Sequence, residues 1–253
     1  MVDMKMDNDK ILYNFNVNSF NIKAEYYKKD LNDIFIPLVR QFDKMRQNAE
    51  RRLIIYLAGP CGAGKTTLSL LLESLTIANT VSSAQAVGID GFHYNNKYLN
   101  SHYIYKDGNK ILMRDIKGSA ETFDFEKLRD KIAALKNEDI YWSGYDRSIH
   151  DVLENVTFIN AQIVIIEGNW LLLDEPRWRE LAQFCDYSIF VNADRETLIN
   201  RLIERKIMGG LSEEEAKKFV MRSDADNIER ILQHRIKCDL ELYMQENGKF
   251  IIK

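Results

Sequence analysis

The chain has 253 residues, of which 45% are hydrophobic and 29% are charged, and its formal net charge is −3. This length suits one large α/β domain, alone or with a small appendage, and the composition excludes a collagen-like or wholly disordered chain. The 35 basic and 38 acidic residues nearly balance, so overall charge gives no reason to expect nucleic acid as a partner.

Cysteine usage and hydropathy favour a cytoplasmic protein. Cys61, Cys185 and Cys238 are an odd number without C-x-x-C spacing, which argues against a disulfide framework or a zinc site. The longest apolar run, around residues 163–166, is too short to cross a bilayer. Residues 1–9 lack the basic and apolar regions of a signal peptide. We therefore expect no membrane partner.

Residues 1–50 are predicted to form an extension to the domain that follows. Alternating apolar residues lie on both sides of Asn18 and Ser19, which is typical of a short β-hairpin. Apolar residues then recur at three- and four-residue steps over roughly residues 28–50, which predicts an amphipathic helix. This extension could cover a sheet edge, form a contact in a homodimer or close over a substrate site.

Residues 51–253 alternate between strand and helix signals, which predicts an α/β fold with a parallel sheet and helices on both faces. Strands are predicted at 53–58, 86–90, 162–167 and 187–191, and helices at 65–77, 125–136 and 196–207. Ser212 and Glu215 form a capping box that begins another helix. Asn247-Gly248 lies between two apolar runs and predicts a C-terminal hairpin.

The segment Gly-Pro-Cys-Gly-Ala-Gly-Lys-Thr at 59–66 matches the phosphate-binding loop pattern G-x-x-x-x-G-K-[ST], between a predicted strand and a helix. Glycines let successive backbone amides converge on one centre, and the helix N-terminus adds positive potential. Lys65 should reach the β- and γ-phosphates, and the Thr66 hydroxyl should bind Mg²⁺. The residues predicted to bind ATP are Gly59, Cys61, Gly62, Ala63, Gly64, Lys65, Thr66 and Thr67.

Cys61 lies inside this loop and has two interpretations. The favoured one is a small residue tolerated where the backbone does the binding. The other is a thiol of lowered pKa beside a helix N-terminus, which ATP would protect from alkylation.

Two carboxylates are expected at the sheet edge that carries the loop. Asp90 follows the second predicted strand of the domain, where ligands bind in open parallel sheets. It could accept the proton of an attacking hydroxyl, help to hold Mg²⁺, or only cap the next helix. Glu167 ends the strand 162–167 at the position of a Walker B acid. It could bind Mg²⁺ or make loop hydrogen bonds.

Three basic residues between the predicted strands are candidates for binding a phosphoryl acceptor, the molecule whose hydroxyl would attack the γ-phosphate. Arg114 and Lys117 could bind an anionic or polyhydroxyl acceptor, or form part of a solvated surface. Arg147 follows a predicted strand at 140–143. It could contact the acceptor or the γ-phosphate, or it could pair with a neighbouring aspartate.

Arg201 and Arg205 lie four residues apart and therefore share one face of the predicted helix. Gly209-Gly210 follows as a hinge. Such an arrangement is typical of a lid whose arginines neutralise the transferring phosphoryl group and exclude water. The alternative is an exposed basic face with Glu204 between the two arginines.

Together these motifs resemble the phosphoribulokinase/uridine kinase family of P-loop kinases, which includes bacterial pantothenate kinase. Besides the phosphate-binding loop, the matching segments are 90–96, 117–124, 145–147, 167–176 and 209–216. The resemblance extends over about residues 53–230 and leaves the N-terminal extension outside. It is greatest for a bacterial branch of sugar or nucleoside kinases that includes fructose-transport-system kinases.

The resemblance implies a P-loop NTPase fold and ATP-dependent transfer of the γ-phosphoryl group to an alcohol of a small metabolite. Asp90 would be the catalytic base, His93 and Tyr94 would approach the acceptor, and a lid over about 195–220 would carry Arg201 and Arg205. Relatives often have a second proline in the loop, a difference that should leave phosphate binding intact. The candidate acceptors are a sugar, a nucleoside and a pantothenate-like alcohol. The alternative is a regulatory NTPase switch without an acceptor.

Overall fold

The computed structural model describes residues 9–17, 20–106 and 108–253, and the predicted turn at Asn18 and Ser19 lies outside these ranges. The described strands are β1 (Lys10–Val17), β2 (Phe20–Tyr27), β3 (Leu53–Ala58), β4 (Ala84–Gly88), β5 (Tyr103–Lys106), β6 (Asn109–Leu112), β7 (Ile140–Asp146), β8 (Asp151–Ile159), β9 (Ile163–Gly168), β10 (Tyr187–Ala193), β11 (Leu240–Met244) and β12 (Phe250–Ile252). The described helices are α1 (Lys28–Asp30), α2 (Ile36–Asn48), α3 (Lys65–Asn79), α4 (Asn96–Leu99), α5 (Phe125–Leu135), α6 (Arg195–Met208), α7 (Glu213–Phe219) and α8 (Ala225–Gln233).

Six strands form the central sheet in the spatial order β12, β11, β10, β3, β9, β4. All neighbouring pairs are parallel except β11 and β12. Every residue of β3 is buried, as expected for a central strand covered on both faces. The predicted α/β fold with a mainly parallel sheet is therefore confirmed.

Two hydrophobic clusters cover the two faces of this sheet, because alternate residues of each strand point to opposite sides. Leu53, Ile55 and Leu57 of β3 join the cluster formed with α2, α3 and α6. Ile54 and Tyr56 join the cluster formed with α5 and α8. Burying one such side chain stabilises the fold by about 1.5–3 kcal/mol.

Register along the sheet brings the predicted site residues to one edge. Leu57 of β3 lies opposite Glu167 of β9, and Glu167 lies opposite Gly88 of β4. The phosphate-binding loop begins one residue after β3, and Asp90 lies two residues after β4. The strand predicted at 86–90 lies at Ala84–Gly88. It ends before residue 90 because the chain enters a 3₁₀ turn, in which the Phe92 amide donates to the Ile89 carbonyl.

The N-terminal extension contacts β12, the edge strand of the sheet that lies furthest from β4. The hairpin β1–β2 leads into α1, a π-helical turn and then α2. Phe35 contacts the Phe250 ring at 5.2 Å between centroids. The buried Asp30 carboxylate accepts a hydrogen bond from the Phe250 amide at 2.9 Å. The extension therefore shares a hydrophobic cluster with the sheet, and a division of the chain at residue 50 stays a prediction.

The structure contains two hairpins, inserted between strands of the central sheet, that the sequence analysis did not predict. They are β5–β6 and β7–β8. The predicted strand at 140–143 extends to Asp146, because pairing with β8 continues to Asp151. Tyr145 and Asp146 therefore lie in the strand and not after it. Within the described part of the chain, no helix is both long and apolar enough to span a membrane.

Candidate active site

The phosphate-binding loop joins β3 to α3 through backbone that only glycine accommodates at two positions. Gly59 has φ +153°, and a Cβ there would lie 2.1 Å from the Val191 carbonyl oxygen. Gly64 has φ +81° and precedes the first residue of α3. These glycines hold the loop tightly against β10 and direct its amides toward the start of α3.

Lys65 folds back over the loop as the first residue of α3. It is 7% exposed, and its Nζ donates to the Pro60 carbonyl oxygen at 2.9 Å. A buried ammonium that pairs with one neutral carbonyl retains capacity for two further hydrogen bonds. The neighbouring Thr67 uses its hydroxyl to donate to the Gly64 carbonyl at 2.9 Å, so this side chain supports the loop backbone.

Thr66 and Glu167 form an oxygen-rich pair at the end of the loop. The Thr66 hydroxyl donates to Glu167 Oε1 at 2.8 Å. Desolvation raises the pKa of Glu167 from its ordinary value, and the positive charge of Lys65 opposes that rise. Glu167 is half-buried, and a partly desolvated carboxylate without an ion-pair partner is suited to a cation that would replace its lost hydration.

This oxygen pair fits Mg²⁺, which prefers hard oxygen ligands and usually keeps several waters and substrate phosphates in its shell. Among the residues that the structure describes, no group of three His, Cys, Asp or Glu side chains could hold a metal alone. Such a group is not required where phosphates complete the ligand set. Thr66 and Glu167 would hold the ion, with Asp90 close by.

Asp90 begins a 3₁₀ turn, Asp90–Phe92, directly beyond β4. Its side chain is exposed and makes no hydrogen bond within the described ranges, so it does not cap the turn. Burial has the largest effect on the pKa values of Glu167, His93 and Lys117, and the negative charge of Asp90 raises all three. Gly91 lets the turn approach β7, since a Cβ there would lie 2.2 Å from the Ser143 carbonyl oxygen.

His93 is almost completely buried beside Asp90. Its Nδ1 lies 2.9 Å from the Asp90 carbonyl oxygen, so Nδ1 carries the proton and Nε2 is an acceptor. Burial lowers the pKa of His93 and favours the neutral ring. Nε2 is buried without a hydrogen-bond partner among the described residues. Tyr94 is half-buried and stacks on Tyr98 at 4.2 Å between centroids.

Arg114 and Lys117 donate hydrogen bonds to the same neutral oxygen, the side-chain carbonyl of Asn96. Arg114 Nη1 and Lys117 Nζ each lie 2.9 Å from Asn96 Oδ1. Lys117 also donates to the His150 carbonyl at 2.7 Å and lies 4.9 Å from the centre of the Tyr145 ring. Burial and then the charge of Arg114 lower the pKa of Lys117.

Arg147 follows β7 on the same side of the sheet. Burial raises the pKa values of Glu167 and Tyr145, and the positive charge of Arg147 slightly opposes both rises. The ion pair with Asp146 or Asp151 that the sequence allowed does not form in the described structure. Arg147 is half-buried and remains available to a ligand.

Arg201 and Arg205 of α6 reach different parts of the loop. Arg201 Nη1 lies 3.4 Å from the Gly62 carbonyl oxygen and 3.4 Å from Met244 Sδ. Arg205 is exposed, and its charge acts on Cys61 and Asp224. The structure thus places one arginine against the loop backbone and the other at its open side.

The structure favours the simpler interpretation of Cys61. The Asn169 amide donates to Cys61 Sγ at 2.9 Å. Burial raises the pKa of the thiol, and the positive charge of Lys65 only partly opposes this. A thiol of raised pKa contains little thiolate at neutral pH and reacts slowly.

Sequence reasoning missed several residues that shape the site. Asn96 joins Arg114 to Lys117, and Asn169 fixes the Cys61 thiol. Asp224, in the turn before α8, is half-buried beside Arg205 and Lys206, and its Oδ2 has no hydrogen-bond partner among the described residues. No local pattern marks these residues, because their partners are distant in sequence.

Comparison with known proteins identifies the family of this chain. The sequence model described as Phosphoribulokinase / Uridine kinase family matches residues 54–239. An uncharacterised Escherichia coli (strain K12) protein, YggC, is 37% identical over 236 residues, covering 92% of this chain and 96% of YggC. A proposed uridine kinase of Schizosaccharomyces pombe, C227.14, is 26% identical over 220 residues, covering 81% of this chain and 92% of the relative.

A solved structure extends the comparison to three dimensions. The crystal structure of a proposed fructose transport system kinase from Silicibacter sp. TM1040 has a TM-score of 0.72 and 30% identity. It covers 82% of this chain and 98% of its own.

Proposed function

The chain belongs to the phosphoribulokinase/uridine kinase family, and from that premise we propose that it transfers the γ-phosphoryl group of ATP to a hydroxyl of a small metabolite. One observation carries the proposal. The exposed Asp90 carboxylate, without a hydrogen-bond partner among the described residues, lies at the same sheet edge as the phosphate-binding loop and the Thr66–Glu167 pair.

The loop amides and Lys65 bind the phosphates of ATP. Lys65 would exchange its bond to the Pro60 carbonyl for phosphate oxygens, which are stronger acceptors because they are charged. Thr66 and Glu167 would hold Mg²⁺, and the ion, when bound, neutralises charge on the β- and γ-phosphates. Residues 59–67 would thereby hold the phosphates at the sheet edge that also carries the Asp90 turn.

Asp90 orients the acceptor hydroxyl and takes its proton. The hydroxyl oxygen forms a new bond to the γ-phosphorus as the bond between that phosphorus and the β,γ-bridging oxygen breaks. ADP leaves with the electron pair of the broken bond, and the proton moves to the Asp90 carboxylate. Arg201 and Arg205 of α6 would neutralise the charge on the transferring group and keep water away.

ADP release from Mg·ATP, measured across sugars, nucleosides and pantothenate, tests this function. We expect one metabolite class to stimulate release, and Asp90→Asn to reduce the stimulated rate by about 10²- to 10⁴-fold, the usual contribution of a positioned base. Slow release that no metabolite stimulates, equal in both proteins, would instead support a regulatory NTPase switch.

A further inference from the structure

Arg114, Lys117 and Arg147, called here the acceptor cations, lie on the segments next to the turn that carries Asp90. Lys117 lies 4.9 Å from the centre of the Tyr145 ring, and that ring lies 6.0 Å from the ring of His93 beside Asp90. In the part of the chain that the structure describes, none of the three forms an ion pair within 4 Å. Arg114 is exposed, whereas Lys117 and Arg147 are half-buried, and half-buried arginines such as Arg52 and Arg230 do form ion pairs. No direct ion pair therefore neutralises the positive charge of the acceptor cations.

The present partners of these cations are neutral oxygens. Arg114 and Lys117 share Asn96 Oδ1, and Lys117 also bonds a backbone carbonyl. Two like charges on one amide oxygen repel each other, and burial of Lys117 strengthens that repulsion. An anion between the two side chains would remove the repulsion and add charge-assisted hydrogen bonds.

Of the three carboxylates Asp151, Glu167 and Asp90, the first two accept hydrogen bonds from other groups. Asp151 accepts from the amides of Asn96 and Val152. Glu167 accepts from Thr66, and Asp90 must remain free for the acceptor hydroxyl. Asp151 and Asp90 act on the charge of Lys117 from a distance, but none of the three carboxylates forms a direct ion pair with an acceptor cation in the described structure.

Two buried polar atoms on the same segments also lack partners. His93 Nε2 and Ser119 Oγ have no hydrogen bond within the described residues, and both residues are 8% exposed. His93 pairs with Phe123, and Ser119 pairs with Lys117, in isolated bridges. Buried polar atoms are normally satisfied, so these two indicate a site that a polar ligand completes.

Resting on the proposed function, we propose that the phosphoryl acceptor is an anionic alcohol. Its carboxylate or phosphate group binds Arg114, Lys117 and Arg147, while its hydroxyl faces Asp90. Arginine supplies a planar fork and lysine a point charge, a combination that suits either group. A neutral nucleoside or a free sugar would leave the cations without a counter-charge.

Matched pairs of acceptors that differ in one charge test the proposal. The pairs are glycerate and glycerol, pantothenate and panthenol, fructose 6-phosphate and fructose, and uridine monophosphate and uridine. We expect one anionic member to stimulate ADP release with a kcat/KM about 10- to 100-fold above that of its neutral partner, the effect of one or two charge-assisted hydrogen bonds. The active pair distinguishes a carboxylate from a phosphate.

Variants of the acceptor cations complete the experiment. Lys117→Gln and Arg114→Gln should raise KM for the active anion by about tenfold or more with a smaller change in kcat, and Lys117→Arg should restore part of the affinity. Lys44→Gln and Arg40→Gln, on the exposed face of α2, are the matched controls and should change neither constant.

The outcomes separate this inference from the function on which it rests. Stimulation by neutral acceptors as strong as by anionic ones, or an unchanged KM in Lys117→Gln, would overturn the anionic acceptor and leave the kinase standing. If neither member of any pair stimulated ADP release, the kinase proposal would fail, and this inference would fail with it.

Discussion

At the residue scale, Glu167 combines two properties that rarely occur together. Its carboxyl group is desolvated, and yet its hydrogen-bond partner is a hydroxyl and not a cation. Such a group holds a proton more readily than an ordinary glutamate, and a divalent ion competes with that proton. The chemistry of Mg²⁺ binding is therefore linked to pH through this single side chain.

We expect Mg²⁺ affinity to begin to weaken at a higher pH than it would if Glu167 had the pKa of an ordinary glutamate. The pKa of Glu167 is raised, so the ionised form that binds metal is lost as pH falls through that raised value. Mg²⁺ titration with a non-hydrolysable ATP analogue between about pH 5 and pH 8 measures this effect. Glu167→Gln should bind Mg²⁺ about 10- to 100-fold more weakly at every pH.

Glu246→Gln is the matched control, because Glu246 is exposed in the C-terminal hairpin turn. It should keep the affinity and the pH dependence of the original protein. An unchanged Mg²⁺ affinity in Glu167→Gln would show that the ion is held elsewhere.

At the element scale, α6 connects the phosphate-binding loop to the predicted lid. Its first half packs on the loop, where Leu198 and Leu202 lie against Gly62. Its second half carries Arg205 and Lys206 toward Asp224. A movement of the segment 209–224 could therefore change the surroundings of Arg205 while Arg201 stays on the loop.

Arg201→Ala should lower kcat by about 10²-fold or more while nucleotide affinity falls modestly, because the interaction matters most as charge transfers. Steady-state kinetics with varied ATP separates the two constants. Arg222→Ala, at an exposed position in the turn before α8, should leave both unchanged. Turnover equal to that of the original protein would remove Arg201 from the transfer step.

At the scale of the whole molecule, one arginine ties together three segments distant in sequence. Arg230 of α8 donates to both oxygens of Glu175 at 2.7 and 2.6 Å and to Glu121 at 2.9 Å. Its guanidinium also lies 5.4 Å from the centre of the Trp170 ring. This network joins α8, the segment after β9 and the turn that precedes α5, and so supports the acceptor side of the site.

Glu175→Gln should reduce the free energy of unfolding by about 1–3 kcal/mol at neutral pH. Arg230 lowers the pKa of Glu175, so this stabilisation is present above the unfolded-state pKa and is lost as pH falls through the lower folded-state value. Denaturant unfolding at neutral and acidic pH should show the difference shrinking with acidification.

Glu229→Gln serves as the comparison, since Glu229 pairs with Arg195 in a bridge whose side chains are 43% and 52% exposed. Such an exposed pair should contribute about 0–1 kcal/mol. Equal destabilisation by both variants would mean that the Arg230 network has no special structural role.

The amino-acid sequence by itself determined the strands of the central sheet, the phosphate-binding loop and the starts of α3, α5, α6 and α7. Their signals are local: glycines where φ is positive, apolar runs in buried strands, and the capping box at Ser212 and Glu215, whose reciprocal bonds form as predicted. Asp124 likewise caps α5 by accepting from the Lys127 amide. Local signals of this kind require no knowledge of distant partners.

Only the tertiary structure decided which side chains meet. The pairing of β7 with β8, the entry of β11 into the central sheet and the packing of the extension on Phe250 depend on contacts between distant residues. The same is true of Asn96 between Arg114 and Lys117. Sequence shows that these cations exist. Whether a carboxylate neutralises them is set by three-dimensional packing, because charge compensation depends on distance in space and not along the chain.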